Sequence, residues 1–246
     1  WQMLGRCWGG VWVPAGPLLG LPLDALRIND RYLLEDHKLV NQLLLPSPLP
    51  SGEGLRTGSP KTVFLAGHPQ DYSGDYAARL DTSSEISMLA DRFVGPGLNI
   101  VQGTALLPDE FETGIFRQAG LIHLTMPGVI DIAEPGRSEF ELSGQEDEPG
   151  RSALTAADIS AQKMAARLAF LSGTRVNGSA HSAFNTRLAL VSGLLDAGTR
   201  AVIAGLWASD GKAAEKMIDD FYRELDVSGD AASALRNAKR GYLEKN

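Results

Sequence analysis

Few side chains in this sequence can attack a carbonyl or carry a proton near neutral pH, and they stand apart. The four histidines, His37, His68, His123 and His181, occur singly, and Cys7 is the one cysteine. A lone cysteine excludes an internal disulfide, a cysteine-based metal cage and a redox pair. It fits a reducing, cytoplasmic setting. The spacings that build a site from near neighbours are missing: there is no GxGxxG turn, no GxSxG elbow and no HExxH. Gly173 to Ser179, GTRVNGS, has the two glycines of a phosphate loop. It lacks the lysine that should precede the hydroxyl residue and hold the phosphates. No cofactor and no metal are therefore expected. Any chemistry must come from residues distant in sequence, so the elements that gather them decide the question.

Those elements alternate from residue 61 onward. Val63-Phe64-Leu65-Ala66, Asn99-Ile100-Val101, Leu121 to Thr125, Arg167 to Ser172 and Ala201 to Trp207 read as strands of the fully buried kind. Helices are expected between them. Thr82-Ser83-Ser84-Glu85 has capping-box spacing ahead of an apolar stripe of Ile86, Leu89, Ala90 and Phe93. Pro108 suits the first turn of a helix running to about Ala119. A helix around 185–197 ends at Gly198, and Ser209 or Asp210 can cap the next, whose apolar face is Met217, Ile218, Phe221, Tyr222 and Leu225. Asp230 opens the last. Repeated strand–helix units imply an α/β fold with a mostly parallel sheet covered on both faces. In such sheets, sites lie beyond the carboxyl ends of the strands. That selects Gly67-His68, Pro127-Gly128-Val129, Gly173 to Gly178 and Ala208-Ser209-Asp210.

The first 60 residues read differently. Val11-Trp12-Val13-Pro14 is a strand stopped by proline, and Arg31 to Leu34 with Lys38-Leu39-Val40 suggests a hairpin. PSPLPSGEGLRTGSP, residues 46–60, looks like a surface linker. Trp1, Trp8 and Trp12 make an apolar start that reads as the interior of a longer chain. Composition is that of an ordinary globule, 43% hydrophobic and 22% charged, with a net charge of −7. An acidic chain argues against a generic nucleic-acid binder. No stretch is long and apolar enough to span a membrane. Seven acids (Asp131, Glu134, Glu139, Glu141, Glu146, Asp147, Glu148) against Arg137 mark 131–150 as an acidic, solvated segment around a short strand at Phe140-Glu141-Leu142.

An ordered set of pieces over residues 11–243 resembles the CHAT domain, the caspase- and separase-like module often fused to TPR repeats. VPAGPLLGLPLDAL, with Gly16, Leu19, Pro22 and Leu26, is similar to the family's opening. Ser84-Glu85-Ile86 resembles its first helix, and Ala119 to Leu124 its "hvHlA-x-HG" strand. Phe140 to Ser143, Leu154 to Ile159 and Leu168 to Ser172 follow in family order. Ala197-Gly198, Val202-Ile203, Leu206-Trp207, Asp210 and Phe221-Tyr222 resemble its "LW … D … FY" ending. The resemblance implies a caspase-like α/β/α sandwich with a mostly parallel central sheet and an N-terminal segment rich in β-hairpins. It implies one CHAT domain over 1–246, with 1–60 packing on a core of 61–246, and helical repeats upstream.

The same resemblance implies a cysteine-peptidase scaffold whose histidine and cysteine sit in two of the loops selected above. Pro127 stands at the histidine's position and Thr174 at the cysteine's. The interval from 127 to 174 agrees with the roughly 50 residues between His and Cys in caspase-type signatures. Proline has no titratable group, and a threonine hydroxyl is a weak nucleophile without a base. His123 lies four residues before Pro127, about 13 Å back along a strand. His181, seven residues after Thr174, is the alternative base for an active hydrolase using Thr174. The expected function is a catalytically inactive interaction or regulatory module. Asp210, after the "LW" strand, is the candidate for binding a basic peptide or partner surface, with a helix cap as its bland role. Gly128 and Gly173 are candidates for backbone N–H donors, and His123 for peptide contact.

Overall fold

The computed structural model describes residues 9–12, 21–41, 61–67, 82–102, 108–126, 128–129, 131, 134–142, 153–172, 189–205 and 211–245. In chain order the elements are β1 (Gly9–Trp12), β2 (Arg27–Ile28), β3 (Arg31–Tyr32), α1 (Leu33–Asp36), β4 (Lys38–Asn41), β5 (Val63–Gly67), α2 (Ser83–Arg92), β6 (Leu98–Gln102), α3 (Pro108–Phe111) and α4 (Gly114–Gln118). They continue with β7 (Leu121–Thr125), β8 (Gly128–Val129), β9 (Glu139–Glu141), β10 (Ala153–Thr155), α5 (Ala156–Ser160), β11 (Leu168–Ser172), α6 at 189–196, β12 (Val202–Ala204), α7 (Gly211–Ser228) and α8 (Ala231–Leu243). They fall into two compact units, Pro60–Lys212 and Trp1–Ser59 with Ala213–Asn246.

The larger unit is built on a five-stranded parallel sheet in the order β12-β11-β7-β5-β6. The chain starts at β5, adds β6 on one side, and crosses back to add β7, β11 and β12 on the other. Right-handed crossovers then require the first helix on one face and the later ones on the opposite face. Side-chain alternation confirms it. Phe64, Ala66, Ile122, Leu124, Ala169 and Leu171 share one face and pack with Phe111, Phe116, Ile159, Leu190 and Leu194 from α3 to α6. The rings of Phe64, Phe111 and Phe116 meet edge to face with centroids 5.0–5.7 Å apart. The opposite face carries Leu65, His123 and Phe170 in one cross-strand row, and α2 lies against it. This is the α/β/α layering with a parallel sheet that the strand–helix alternation predicts. A small antiparallel sheet, β10-β9-β8, leaves the carboxyl end of β7.

Local chemistry relocates three expected features. The capping box at Thr82 does not form: Thr82 makes no side-chain cap bond, and Glu85 turns inward. The helix expected over 108–119 is two short helices. The Thr113 hydroxyl accepts the Phe116 N–H at 3.3 Å and donates to the Glu110 carbonyl at 2.8 Å, ending one turn and starting the next. The N-terminal hairpin closes earlier than expected, at 27–32. Asn29 and Asp30 take φ of 50° and 65°, the positive pair of a type I′ turn. Leu33 to Asp36 then winds into α1, with the Glu35 carboxylate accepting the Tyr32 N–H at 2.7 Å. β4 pairs in parallel with β1. At the far end of α6, Gly198 (φ +109°) closes a Schellman motif. Its N–H reaches the Leu195 carbonyl, and the Thr199 N–H reaches that of Leu194, both at 3.0 Å.

In the smaller unit, Asp230 caps α8 by accepting the Ser233 N–H at 2.7 Å, as expected. Arg236 donates to the Leu34 and Glu35 carbonyls at the end of α1. On α7, Ile218, Phe221, Tyr222 and Leu225 are buried together with Asp220. Burial alone would push the Asp220 carboxyl up. Hydrogen bonds from Lys216, at 2.9 Å, and from Arg223, with their charges, outweigh it and hold it below the usual aspartate value. A carboxyl lowered in this way contributes stability in full above its unfolded pKa, about 3.9. That contribution is lost as pH falls through the folded value. Asp220→Asn is expected to cost about 1–3 kcal/mol at pH 7. The gap to the parent should close below about pH 4, read from thermal melts over a pH series. A gap that stays constant with pH would mean the charge contributes nothing.

Candidate functional site

Parallel pairing in register aligns the carboxyl ends of three strands. Gly67, Thr125 and Ser172, the last residues of β5, β7 and β11, lie in one row. The order of strands reverses between β5 and β7, so the crevice that such sheets offer to ligands opens at this row. Pro127 and Thr174 each follow two residues after a member of it. Pro127, Gly173, Thr174, His181 and Asp210 lie outside the described residues. So do His68 and residues 143–150 of the acidic segment.

Two residues back along β7 lies a buried polar cluster. His123 is fully buried in the middle of β7, its ring stacked on Phe170 at 5.1 Å and 17°. Its Nε2 is 2.6 Å from Glu85 Oε1. The second carboxylate oxygen, Oε2, accepts the Ser172 hydroxyl at 3.0 Å. A histidine within the apolar run Leu121-Ile122-His123-Leu124 needs a polar partner once buried, and the facing helix supplies it. Glu85 lies in the first turn of α2, where the helix dipole favours negative charge. α2 comes close because residue 67 is glycine: a Cβ there would stand 2.7 Å from Ile86 Cγ1 and 3.0 Å from Thr125 Cγ2. The His123 ring thus faces Glu85 inside the fold, not a surface peptide.

The sequence pointed to His123 but not to its partners. Glu85 was hidden because its spacing from Thr82 fits a cap. The available signal was its place beside Ile86 and Leu89, on the helix face that turns inward. Ser172 was hidden as the end of an apolar strand. Its period-2 relation to Phe170, across from His123, was the corresponding signal.

The remaining described candidates are simpler. Gly128 is buried and pairs with Phe140 across β8 and β9. On β9, burial and then the neighbouring charge of Glu139 push the Glu141 carboxyl up. Arg137 reaches toward Asp131 and Glu134 at 3.8 and 3.7 Å, an exposed contact of small energetic weight. No group of three His, Cys, Asp or Glu among the described residues could hold a metal ion. No described helix is long and apolar enough to cross a membrane.

Thr125 differs from its row neighbour Ser172. Its hydroxyl is fully buried and has no partner among the described residues. An orphan hydroxyl costs the free energy of its lost hydration, on the order of 1–3 kcal/mol. Thr125→Val keeps the shape and removes the orphan, so it is expected to raise stability by about 1 kcal/mol, measured from denaturant midpoints. A loss of similar size would show that the hydroxyl is bonded in the folded chain.

A comparison with curated proteins found no match. The family model for the CHAT domain matches residues 11–246, nearly the whole chain and both structural units. With the five-stranded parallel sheet and its covering helices, that match makes the chain a member of the CHAT domain family, which is caspase-like and related to peptidases.

Proposed function

We propose that this CHAT domain is a catalytically inactive, peptidase-derived interaction module. The observation that carries the reading is the shared row of Thr125 and Ser172. Two residues beyond them, at the family's dyad positions, stand Pro127 and Thr174. The frame that would bring a histidine and a cysteine together is present, and neither reactive side chain is. A cysteine peptidase needs a thiolate to attack the carbonyl and an imidazole to protonate the leaving amine. Losing one such group costs several powers of ten, and losing both leaves no covalent route.

The partner that fits is a protein or peptide with a basic surface, and not nucleic acid. Asp210 follows the "LW" pair, and the acidic stretch follows β7. Glu139 and Glu141 sit one residue apart on β9, and the raised Glu141 carboxyl is what unrelieved like charge and burial produce. A cation bound there would relieve it. Such complementarity mainly speeds association and weakens with salt. In a longer chain, helical repeats of the TPR type would precede the domain and share the partner.

Two measurements test this. Incubation with Arg- and Lys-containing peptides and with acyloxymethyl-ketone probes should give no cleavage and no adduct at Thr174 by peptide mapping. A Thr174-linked product would establish the active-hydrolase alternative, with His181 as the first base to replace. Separately, Asp210→Asn keeps capping ability but removes the charge. It should weaken binding of basic peptides by about 1–3 kcal/mol with little change in melting temperature. Unchanged affinity for every basic peptide tested would rule out this face as a basic-peptide site.

A further inference from the structure

We infer that Glu85 is a positioning residue: through Ser172 it pins the carboxyl end of β11, and with it the root of the segment that carries Thr174. The bland alternative is that Glu85 merely satisfies a buried histidine. Three observations favour positioning.

The first is the division of the carboxylate. One oxygen would suffice for His123, yet the second is spent on Ser172, 87 residues away in sequence and on the adjacent strand. The second is a difference in rigidity between the two ends. His123 is in mid-strand, paired on both sides by β5 and β11 and stacked on Phe170, so it cannot follow the carboxylate. Ser172 is half-buried and is the last paired residue of β11. A link between a fixed point and a strand end restrains the end. The third is the contrast across the row. Thr125, the matching end of β7, has no such bond among the described residues. The β11 end is therefore tied by a side-chain hydrogen bond that the Thr125 hydroxyl at the β7 end lacks among the described residues.

Apolar side chains at both 85 and 123 would bury here without desolvating a charge. A buried carboxylate rarely improves stability over an apolar side chain, and its best-attested return is a fixed arrangement. Here the fixed arrangement is the exit of β11. The inference rests on the proposed reading of this face only in naming what the exit serves. Its test uses no ligand, so failure to bind basic peptides would leave it standing.

The test is hydrogen exchange followed by mass spectrometry on the whole chain. Ser172→Ala and Glu85→Gln should each speed exchange of the β11 amides 170–172 by about tenfold, the factor that a hydrogen bond to a charged group of about 1.4 kcal/mol supplies. Peptides covering 121–126 and 231–243 should change by less than about twofold. Ser172→Thr keeps the hydroxyl and should restore the parent rate. Unchanged exchange at 170–172 in Ser172→Ala overturns the inference. So does equal acceleration across the sheet, the pattern of a packing defect, and so does failure of Ser172→Thr to restore. If Glu85→Gln does not fold, the Ser172 pair decides alone.

Discussion

A parallel sheet buried on both faces leaves its strand ends as the places where side chains can meet a ligand, and that constraint orders this molecule. The middles of β5 and β7 are buried at every position. Their side chains are committed to the helix layers, alternately to α2 and to the cluster of α3 through α6. In-register pairing then makes the ends coincide. Gly67, Thr125 and Ser172 form a common edge from which three segments leave. The segments that leave this edge are the ones placed to carry chemistry or recognition, because the central strands below them are buried on both faces.

The polar cluster beneath that edge is the exception to an otherwise apolar layer, and its energetics explain its form. Burying a carboxylate is costly unless its lone pairs are used. Glu85 meets the requirement with two donors on adjacent strands and a helix N-terminus behind it. The arrangement differs from a catalytic triad in one decisive way. The carboxylate stands between the Ser172 hydroxyl and the imidazole, so His123 Nε2 meets Glu85 and not that hydroxyl. Triad chemistry needs the imidazole in that central place. The cluster has the residue types of a hydrolase and the connectivity of a tie.

The legible and illegible parts of the sequence divide along the range of the interactions. Val63 to Ala66, Leu121 to Thr125 and Leu168 to Ser172 are short apolar runs that only a buried strand accommodates, and they are strands. Asp230 and Gly198 work as caps because a cap is decided within four residues. Thr82 and Glu85 satisfy the same local rule, and it fails there. A histidine 38 residues away outcompetes the helix's own N–H groups for the carboxylate. The hairpin lies elsewhere than the local pattern suggests for a related reason. Lys38 to Asn41 has strand propensity, but its partner is β1, some thirty residues earlier, and not its sequence neighbour. Pattern reading found the elements and the strand ends. It could not find pairs joined by tertiary contact.

On the proposed reading, the fold can lose its dyad because a dyad contributes little to such a fold. The core that holds the five strands together is made of Phe64, Phe111, Phe116, Ile122, Leu124, Ile159, Leu190 and Leu194, and none of these lies in a segment leaving the strand ends. On that reading, Pro127 and Thr174 in place of a histidine and a cysteine remove the reactive groups. Active sites are strained relative to the rest of a protein, and relaxing them is neutral or favourable for stability. Nothing in the physics therefore opposes decay of the catalytic pair once catalysis is unneeded. The tie at Ser172 and the glycine at 67 are different in kind. The first restrains the end of β11, and the second sets how closely α2 can lie. Both would be dispensable in a domain that served as filler, and both have a purpose in one that still presents a defined edge to a partner.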